Sequence, residues 1–267
     1  TGVAAYFLAT DEEAAEKIAG EKKALYVITD GRMADTKFRG IASWYNSSRA
    51  DEYYTRSFLR PAGDPAGNGP VTFITQPYYE TMVARLQNAD GSEGTPGNAL
   101  LVAYEPAGTG NSQVRITGLQ PVVATEALAS SGGTFEKRDG AKGIVLVNND
   151  TFHPIRTVPA LRHYRLIFEA VPGKGPDRDH LLDTVKVFER VAGATVAGEG
   201  ILEIPMVTNT GRTFTYRQAS QDGRWIVPYP TSGSTWPVHA TGPGRIAGTG
   251  KEVVIQEEQV VRGHVIS

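Results

Sequence analysis

The run Ala24-Leu-Tyr-Val-Ile-Thr-Asp30 constrains this chain more than any other stretch, because a strand-forming apolar segment ends in an acid and Gly31-Arg-Met-Ala-Asp-Thr-Lys-Phe-Arg-Gly-Ile41 follows at once. The first half predicts a buried strand. From Asp30 onward the spacing changes to that of a helix, with Asp30, Met33, Lys37 and Ile41 falling along one stripe. A carboxylate, a thioether, an ammonium and a branched aliphatic on one face do not make a core seam. Read from the residues alone, the stripe is equally a binding face or a capped helix. In the second case Asp30 accepts the first amide hydrogens and Lys37 lies over its neighbours.

A chain of 267 residues, 40% hydrophobic and 21% charged, is long enough to bury a core as one large domain or two ordinary ones. Its net charge of -2 and pI near 6.2 come with no Lys/Arg block, so no nucleic-acid partner is expected. With no cysteine, neither a disulfide framework nor a thiolate metal site is available. Histidines 153, 163, 180, 239 and 264 form no His-x-x-x-His or Glu-x-x-His pair, so no metal site is expected in the chain. Gly242 to Gly248 reads as a loop, since its third glycine is misplaced for a dinucleotide fingerprint, and no Gly-x-Ser-x-Gly elbow occurs. No apolar run approaches the ~20 residues needed to span a bilayer. Asn46-Ser-Ser48 and Asn149-Asp-Thr151 are acceptor sequons that fit an outward-facing protein, and a start at Thr1 without methionine suggests a fragment of a longer one.

Thr1 to Gly20 has helical spacing, with Thr10-Asp11-Glu12-Glu13 supplying a cap and first-turn acids. Ile41 to Tyr45 is strand-like, Tyr53 to Leu59 is expected to be helical, and Pro61 to Pro70 is a loop before a strand at Val71 to Thr75. Pro77 to Asn88 places Tyr78, Met82, Val83 and Leu86 on one face of a helix that Asp90-Gly91 ends. Leu100 to Tyr104, Gln113 to Ile116 and Ala141 to Val147 are strand candidates. Arg162 and Arg165 beside an apolar run are expected to pair with acids such as Glu169. From Val185 onward the helical period disappears, and Thr213 to Arg217, a turn at Asp222-Gly223 and Trp225 to Tyr229 predict a hairpin.

Four of these stretches resemble, in order, segments of archaeal AglB-type oligosaccharyltransferases, the catalytic subunits of N-glycosylation. They are the Asp30/Met33/Lys37/Ile41 pattern, Tyr78 to Ser92 with its Arg-Leu and Asp-Gly-Ser, Leu161-Arg-His-Tyr-Arg-Leu166, and the tail. The tail carries Val185-Lys-Val-Phe-Glu189, Gly193-Ala-Thr-Val196 and Gly223-Arg-Trp-Ile-Val-Pro-Tyr229. The resemblance implies that Asp30, Met33, Lys37 and Ile41 on a short kinked helix contact the acceptor sequon. It implies further that no catalytic residue lies in this chain, the catalytic acids and a divalent metal (Mn or Mg) being held by a membrane domain that is not in it. The Trp-Trp-Asp-Tyr-Gly string of the family is likewise expected upstream of Thr1.

The fold class expected is α+β, a mixed α/β core over residues 1–182 with a β-rich insertion around 95–155, followed by an all-β barrel or sandwich over 183–267. By resemblance the chain is the extracytoplasmic acceptor-binding part of an enzyme that transfers a lipid-linked oligosaccharide to asparagine in Asn-x-Ser/Thr. Its partners would be the acceptor polypeptide, the lipid-linked oligosaccharide through the missing region, and the membrane through upstream spans. The rival reading is a secreted, non-catalytic surface or adhesive protein built from the same domains.

Overall fold

The computed structural model describes residues 2–46, 53–108, 113–170 and 184–266. They divide into two compact units, the first formed by Thr1–Phe38, Thr81–Glu93 and Pro159–Ser267, the second by Arg39–Glu80 and Gly94–Val158. Helices and strands both contribute to the architecture, in several open sheets, as the α+β expectation required.

In the first unit, α1 (Gly2–Leu8) leads to α2 (Glu12–Glu21), whose cap is the Asp11 carboxylate accepting from the Ala14 amide at 3.0 Å. β1 (Tyr26–Asp30) follows, but it is not buried on both faces. Val27 and Thr29 point inward, whereas Tyr26 and Ile28 on the opposite face are 49% and 59% exposed, so β1, at the edge of a sheet ordered β1-β9-β8, buries one face only. Its neighbour β9 (Val185–Arg190) runs antiparallel between β1 and β8 (Tyr164–Ala170).

The expected continuous helix after Asp30 is interrupted. α3 (Gly31–Ala34) makes a single turn and Asp35, at φ -121° and ψ -97°, leaves the helical region. The Lys37 amide reaches back to the Arg32 carbonyl at 2.7 Å, and α4 (Phe38–Tyr45) begins at Phe38. The kink agrees with the resemblance, whereas one straight stripe from Asp30 to Ile41 does not exist. Ile41 to Tyr45 is helical rather than extended, a short apolar run being ambiguous between the two. Tyr53 to Leu59 errs in the opposite direction, since it becomes β2 (Thr55–Leu59) once β3 (Pro70–Ile74) supplies a partner. The polar stretch beginning at Asn46, including Ser47 and Ser48 of the first sequon, lies mostly outside the described residues.

The expected helix over Pro77 to Asn88 is likewise two helices, α5 (Gln76–Glu80) and α6 (Met82–Gln87). Thr81 between them is extended, at φ -64° and ψ 146°, and its hydroxyl accepts from the Ala84 amide at 3.3 Å to cap α6. The compact units part at this residue. Asp90 (φ 55°) and Gly91 (φ 75°) turn the chain after α6 as their left-handed preference predicts.

The second unit is a six-stranded sheet ordered β3-β2-β5-β4-β7-β6, adding β4 (Asn98–Pro106), β5 (Val114–Val123), β6 (Glu136–Asp139) and β7 (Lys142–Val147). The strands expected at 100–104, 113–116 and 141–147 all lie within it. Alternate residues of β4 face two cores. Val102 and Tyr104 pack with Phe58, Phe73 and Ile116, whereas Ala99 packs with Leu146 and Ile155 beneath α7 (Ala124–Ser130). Arg56 on β2 donates to Glu136 on β6 at 2.5 Å, although four strand spacings separate them, about 19 Å in a flat sheet. The sheet is therefore strongly curled. Residues 94–158, where a β-rich insertion around 95–155 was expected, share this unit with residues 39–80.

The tail does not separate from the core where residue 183 predicted a boundary; residues 159–267 belong to one unit. β9 is the central strand of the first sheet, so a cut there would remove the partner of both β1 and β8. Beyond it, β10 (Ala194–Ala197) pairs with β13 (Arg224–Val227) and β17 (Val265–Ile266). β11 (Ile201–Val207) pairs with β12 (Thr213–Ala219), β14 (His239–Ala240) and β15 (Gly244–Ile246), and β15 with β16 (Glu252–Val253). Side chains stitch these sheets to the core: the Tyr216 hydroxyl donates to Leu161 O at 2.9 Å, and Tyr229 accepts from the Leu166 amide at 2.7 Å while donating to Asp90 O at 3.1 Å.

The predicted hairpin is half right. Asp222 (φ 51°) and Gly223 (φ 71°) make the tight turn, closed by Gln221 and Arg224, yet β12 joins β11 and β13 joins β10 in a different sheet. Turn chemistry fixes only the reversal, and Trp225, 1% exposed, is drawn into the core on the β10 side. The tail also contains a helix, α8 (Glu257–Arg262), too short to show a period and ended by Gly263 at φ 71°.

Candidate functional site

The corner where β1 becomes α3 is held by hydrogen bonds on both sides. The Asp30 carboxylate accepts from the Met33 amide at 2.8 Å, which satisfies one of the free amides at the helix start. The Gly31 amide donates to Thr184 O at 3.0 Å, and the same carbonyl accepts from Gln87 Nε2 at 3.1 Å. Gln87 Oε1 in turn accepts from the Thr29 hydroxyl at 2.6 Å. One glutamine thus ties the strand end, the helix start and the approach to β9 together.

Beneath that glutamine lies a buried set of charges that the sequence reading missed. The Lys186 ammonium donates to Gln87 O at 2.6 Å and to Asp90 Oδ1 at 2.7 Å. Arg212 bridges two carboxylates, Asp90 at 2.7 Å and Glu169 at 2.6 Å, and Glu169 also accepts from the Thr208 and Thr210 hydroxyls. Two cations meet two anions, so the network is neutral. Burial alone would raise the Asp90 carboxyl, but Lys186 and Arg212 more than reverse this and hold it below its ordinary value. Glu169 behaves the same way, burial being outweighed by Arg212 and the two threonines. Lys186 faces inward with Phe188 while Val185 and Val187 are only half-buried, so the Val-Lys-Val alternation pointed to the wrong face and only the Phe188 two residues on marked the right one.

Of the four residues expected to meet the acceptor, Asp30 and Met33 are half-buried and joined by the cap bond, and Lys37 is exposed in the turn after α3. All three belong to the first unit, whereas Ile41, half-buried on α4, belongs to the second. Arg162 and Arg165 are paired as expected, but with Glu12, and with Glu189 and Glu257, rather than with Glu169. Among the described residues no three His, Cys, Asp or Glu side chains stand together as a metal-ligand set, and Asp90 and Glu169 are committed to arginine and lysine.

Comparison with known proteins gives these features a family. Residues 190–266 match the archaeal glycosylation protein B long peripheral domain. The dolichyl-monophosphooligosaccharide–protein glycotransferase AglB of Haloferax volcanii is 30% identical over 285 residues, covering 87% of this chain and 26% of that protein. Dolichyl-phosphooligosaccharide-protein glycotransferase 3 of Archaeoglobus fulgidus is 28% identical, covering 99% of this chain and 32% of its own length. The fold is shared with the crystal structure of an A. fulgidus oligosaccharyltransferase tethered to an acceptor peptide containing the NVT sequon, at a TM-score of 0.54 and 21% identity over 98% of this chain and 33% of that one.

The fold therefore places the chain in a class of proteins with a mixed α+β region and a β-rich tail, shared with that structure. Within that class it belongs to the AglB family. It spans about a quarter to a third of the length of the curated relatives it matches, 26% and 32%. Among the described residues no helix is long and apolar enough to cross a membrane.

Proposed function

We propose that this chain is the extracytoplasmic, acceptor-binding part of an oligosaccharyltransferase that transfers a lipid-linked oligosaccharide to asparagine in Asn-x-Ser/Thr. The observation that carries the reading is the similarity to the Haloferax volcanii glycotransferase over 87% of the chain. In this reading the lipid-linked oligosaccharide, the divalent metal (Mn or Mg) and the membrane are engaged by parts of the longer protein, and this chain supplies contacts to the acceptor.

Met33 and Lys37 contact the sequon's hydroxylated side chain. A threonine offers a hydroxyl and a methyl, so its pocket requires a polar partner for one and apolar atoms for the other. Lys37 is the charge-assisted donor, Met33 supplies the apolar atoms, and Asp30 fixes the turn that presents them. The cap bond from the Met33 amide to Asp30 supports that last role.

The test uses the full-length enzyme with Met33→Ala and Lys37→Ala. Each is expected to raise the acceptor KM by about 5- to 150-fold, the worth of one such contact, with the melting temperature little changed. A helix that merely covers the core would lower the melting temperature and leave KM alone. Unchanged acceptor KM in both variants overturns the assignment.

A further inference from the structure

The acceptor reading leaves the chain's own two sequons without a role. Ser47 and Ser48 of the first lie outside the described residues. The second, Asn149-Asp150-Thr151, follows β7 almost at once, in the bend that leads to Pro154. Two asparagines stand side by side there, and the fold gives them opposite tasks. Asn148 is 2% exposed, its backbone bridges to Ile74, and its side chain is spent on the protein. Asn148 Nδ2 donates to Asn98 O at 2.8 Å and to His153 O at 2.9 Å, while Oδ1 accepts from the Asn149 amide at 2.8 Å. Asp150 stands two places on, so Asn148 heads no sequon. Asn149 heads one and is exposed. Its backbone amide is bonded to Asn148, but among the described residues its side-chain amide makes no hydrogen bond.

The bend is closed by its own side chains. Asp150 Oδ1 accepts from the Phe152 amide at 2.6 Å and from the His153 amide at 2.9 Å, and Oδ2 lies 2.9 Å from His153 Nδ1. The Tyr79 hydroxyl of α5 donates to Asp150 O, a contact between residues 71 places apart that exists only once the unit has folded. Backbone amides before, within and after the triplet are thus committed to the folded bend, whereas the Asn149 side chain is left pointing at nothing the protein needs.

We propose that Asn149 is itself N-glycosylated, before this bend closes, with a lipid-linked oligosaccharide as donor. The proposal rests on the extracytoplasmic reading above. In the step, Asn149 Nδ2 gives up one proton to solvent and bonds to the anomeric carbon of the first sugar. The bond from that carbon to the lipid phosphate oxygen breaks, and the phosphate leaves with the electron pair. An enzyme that engages an asparagine together with the hydroxylated residue two places on needs the triplet free of the hydrogen bonds that close the bend. After closure the exposed Asn149 carries a bulky, hydrated group into solvent, and every bond made by Asn148 and Asp150 is kept.

The test takes the full-length protein from an archaeal host with intact N-glycosylation. Trypsin, cutting after Lys142 and Arg156, releases residues 143–156, and fragmentation in the mass spectrometer reads which asparagine carries sugar. The glycan is expected on Asn149 in most molecules and never on Asn148. Asn149→Gln and Thr151→Ala are expected to leave the peptide bare, and Thr151→Ser to keep the glycan. Protein made without the lipid-linked oligosaccharide, and supplied with it only after folding, is expected to stay bare, while a synthetic peptide of residues 147–153 is modified. A reporter peptide with another Asn-x-Thr sequon, incubated with the same protein and the lipid-linked oligosaccharide, separates this proposal from the function on which it rests. Bare Asn149 beside a glycosylated reporter overturns the proposal alone, and bare Asn149 beside an unmodified reporter overturns both. Sugar that persists in Thr151→Ala, or that is added to the folded protein, also overturns it.

Discussion

The Lys186 ammonium donates to the Asp90 carboxylate at 2.7 Å, joining the central strand of the first sheet to the left-handed turn that ends α6. Their side chains are only 9% and 7% exposed. Removing the carboxylate leaves the Lys186 ammonium buried with only the Gln87 carbonyl to face, so Asp90→Asn is expected to cost about 3 to 5 kcal/mol, whereas Lys186→Met leaves Asp90 still paired with Arg212 and is expected to cost less. Urea unfolding of each variant measures this, and a loss below about 1 kcal/mol for Asp90→Asn would show that water reaches the pair.

The same pair sets a pH dependence whose sign follows from the depressed carboxyls. Asp90 and Glu169 bind protons less readily folded than unfolded, so the stability they contribute is complete above the unfolded values, about 3.9 and 4.3, and is lost as pH falls through the lower folded ones. Below the folded value a protonated Asp90 no longer differs in charge from asparagine. The stability gap between wild type and Asp90→Asn is therefore expected to narrow as pH drops below about 4. A gap that persists unchanged through that acid range would locate the effect of the substitution elsewhere.

Gly198 stands at φ 151°, and a Cβ there would overlap the Trp225 ring. Gly198→Ala is thus expected to destabilise by about 2 to 4 kcal/mol, from backbone strain together with displacement of a buried indole. Trp225 fluorescence should shift with the melting temperature, and an unmoved spectrum with full stability would contradict the close approach.

Residues 184–267 are expected not to fold by themselves. Within the first unit β9 would lose both of its strand partners, and the Tyr216 and Tyr229 hydroxyls would lose Leu161, Leu166 and Asp90. A cooperative thermal transition of that fragment, with native far-UV circular dichroism, would restore the separate tail domain that the loss of helical period suggested.

What the sequence by itself determined is local. The cap at Asp30, the reversals at Asp90-Gly91 and Asp222-Gly223, and the strands at 100–104 and 141–147 follow from the φ/ψ preferences and alternation of a few adjacent residues. The resemblance carried by four such stretches was also legible, because motifs are strings of neighbours. What only the tertiary structure decided is partnership. Whether Thr55–Leu59 is a strand depended on β3, and whether the strand of Trp225 joins β12 or β10 depended on where Ala194–Ala197 came to lie. Thr81 and Asp35, ordinary residues in an apparent helical period, break it where the surrounding chain demands an extended or irregular link. The Lys186, Asp90, Arg212 and Glu169 network, and the pairing of Arg56 with Glu136, unite residues from distant parts of the chain. Ion pairs depend on distances in space, and no spacing along the chain encodes which strand will curl back on which.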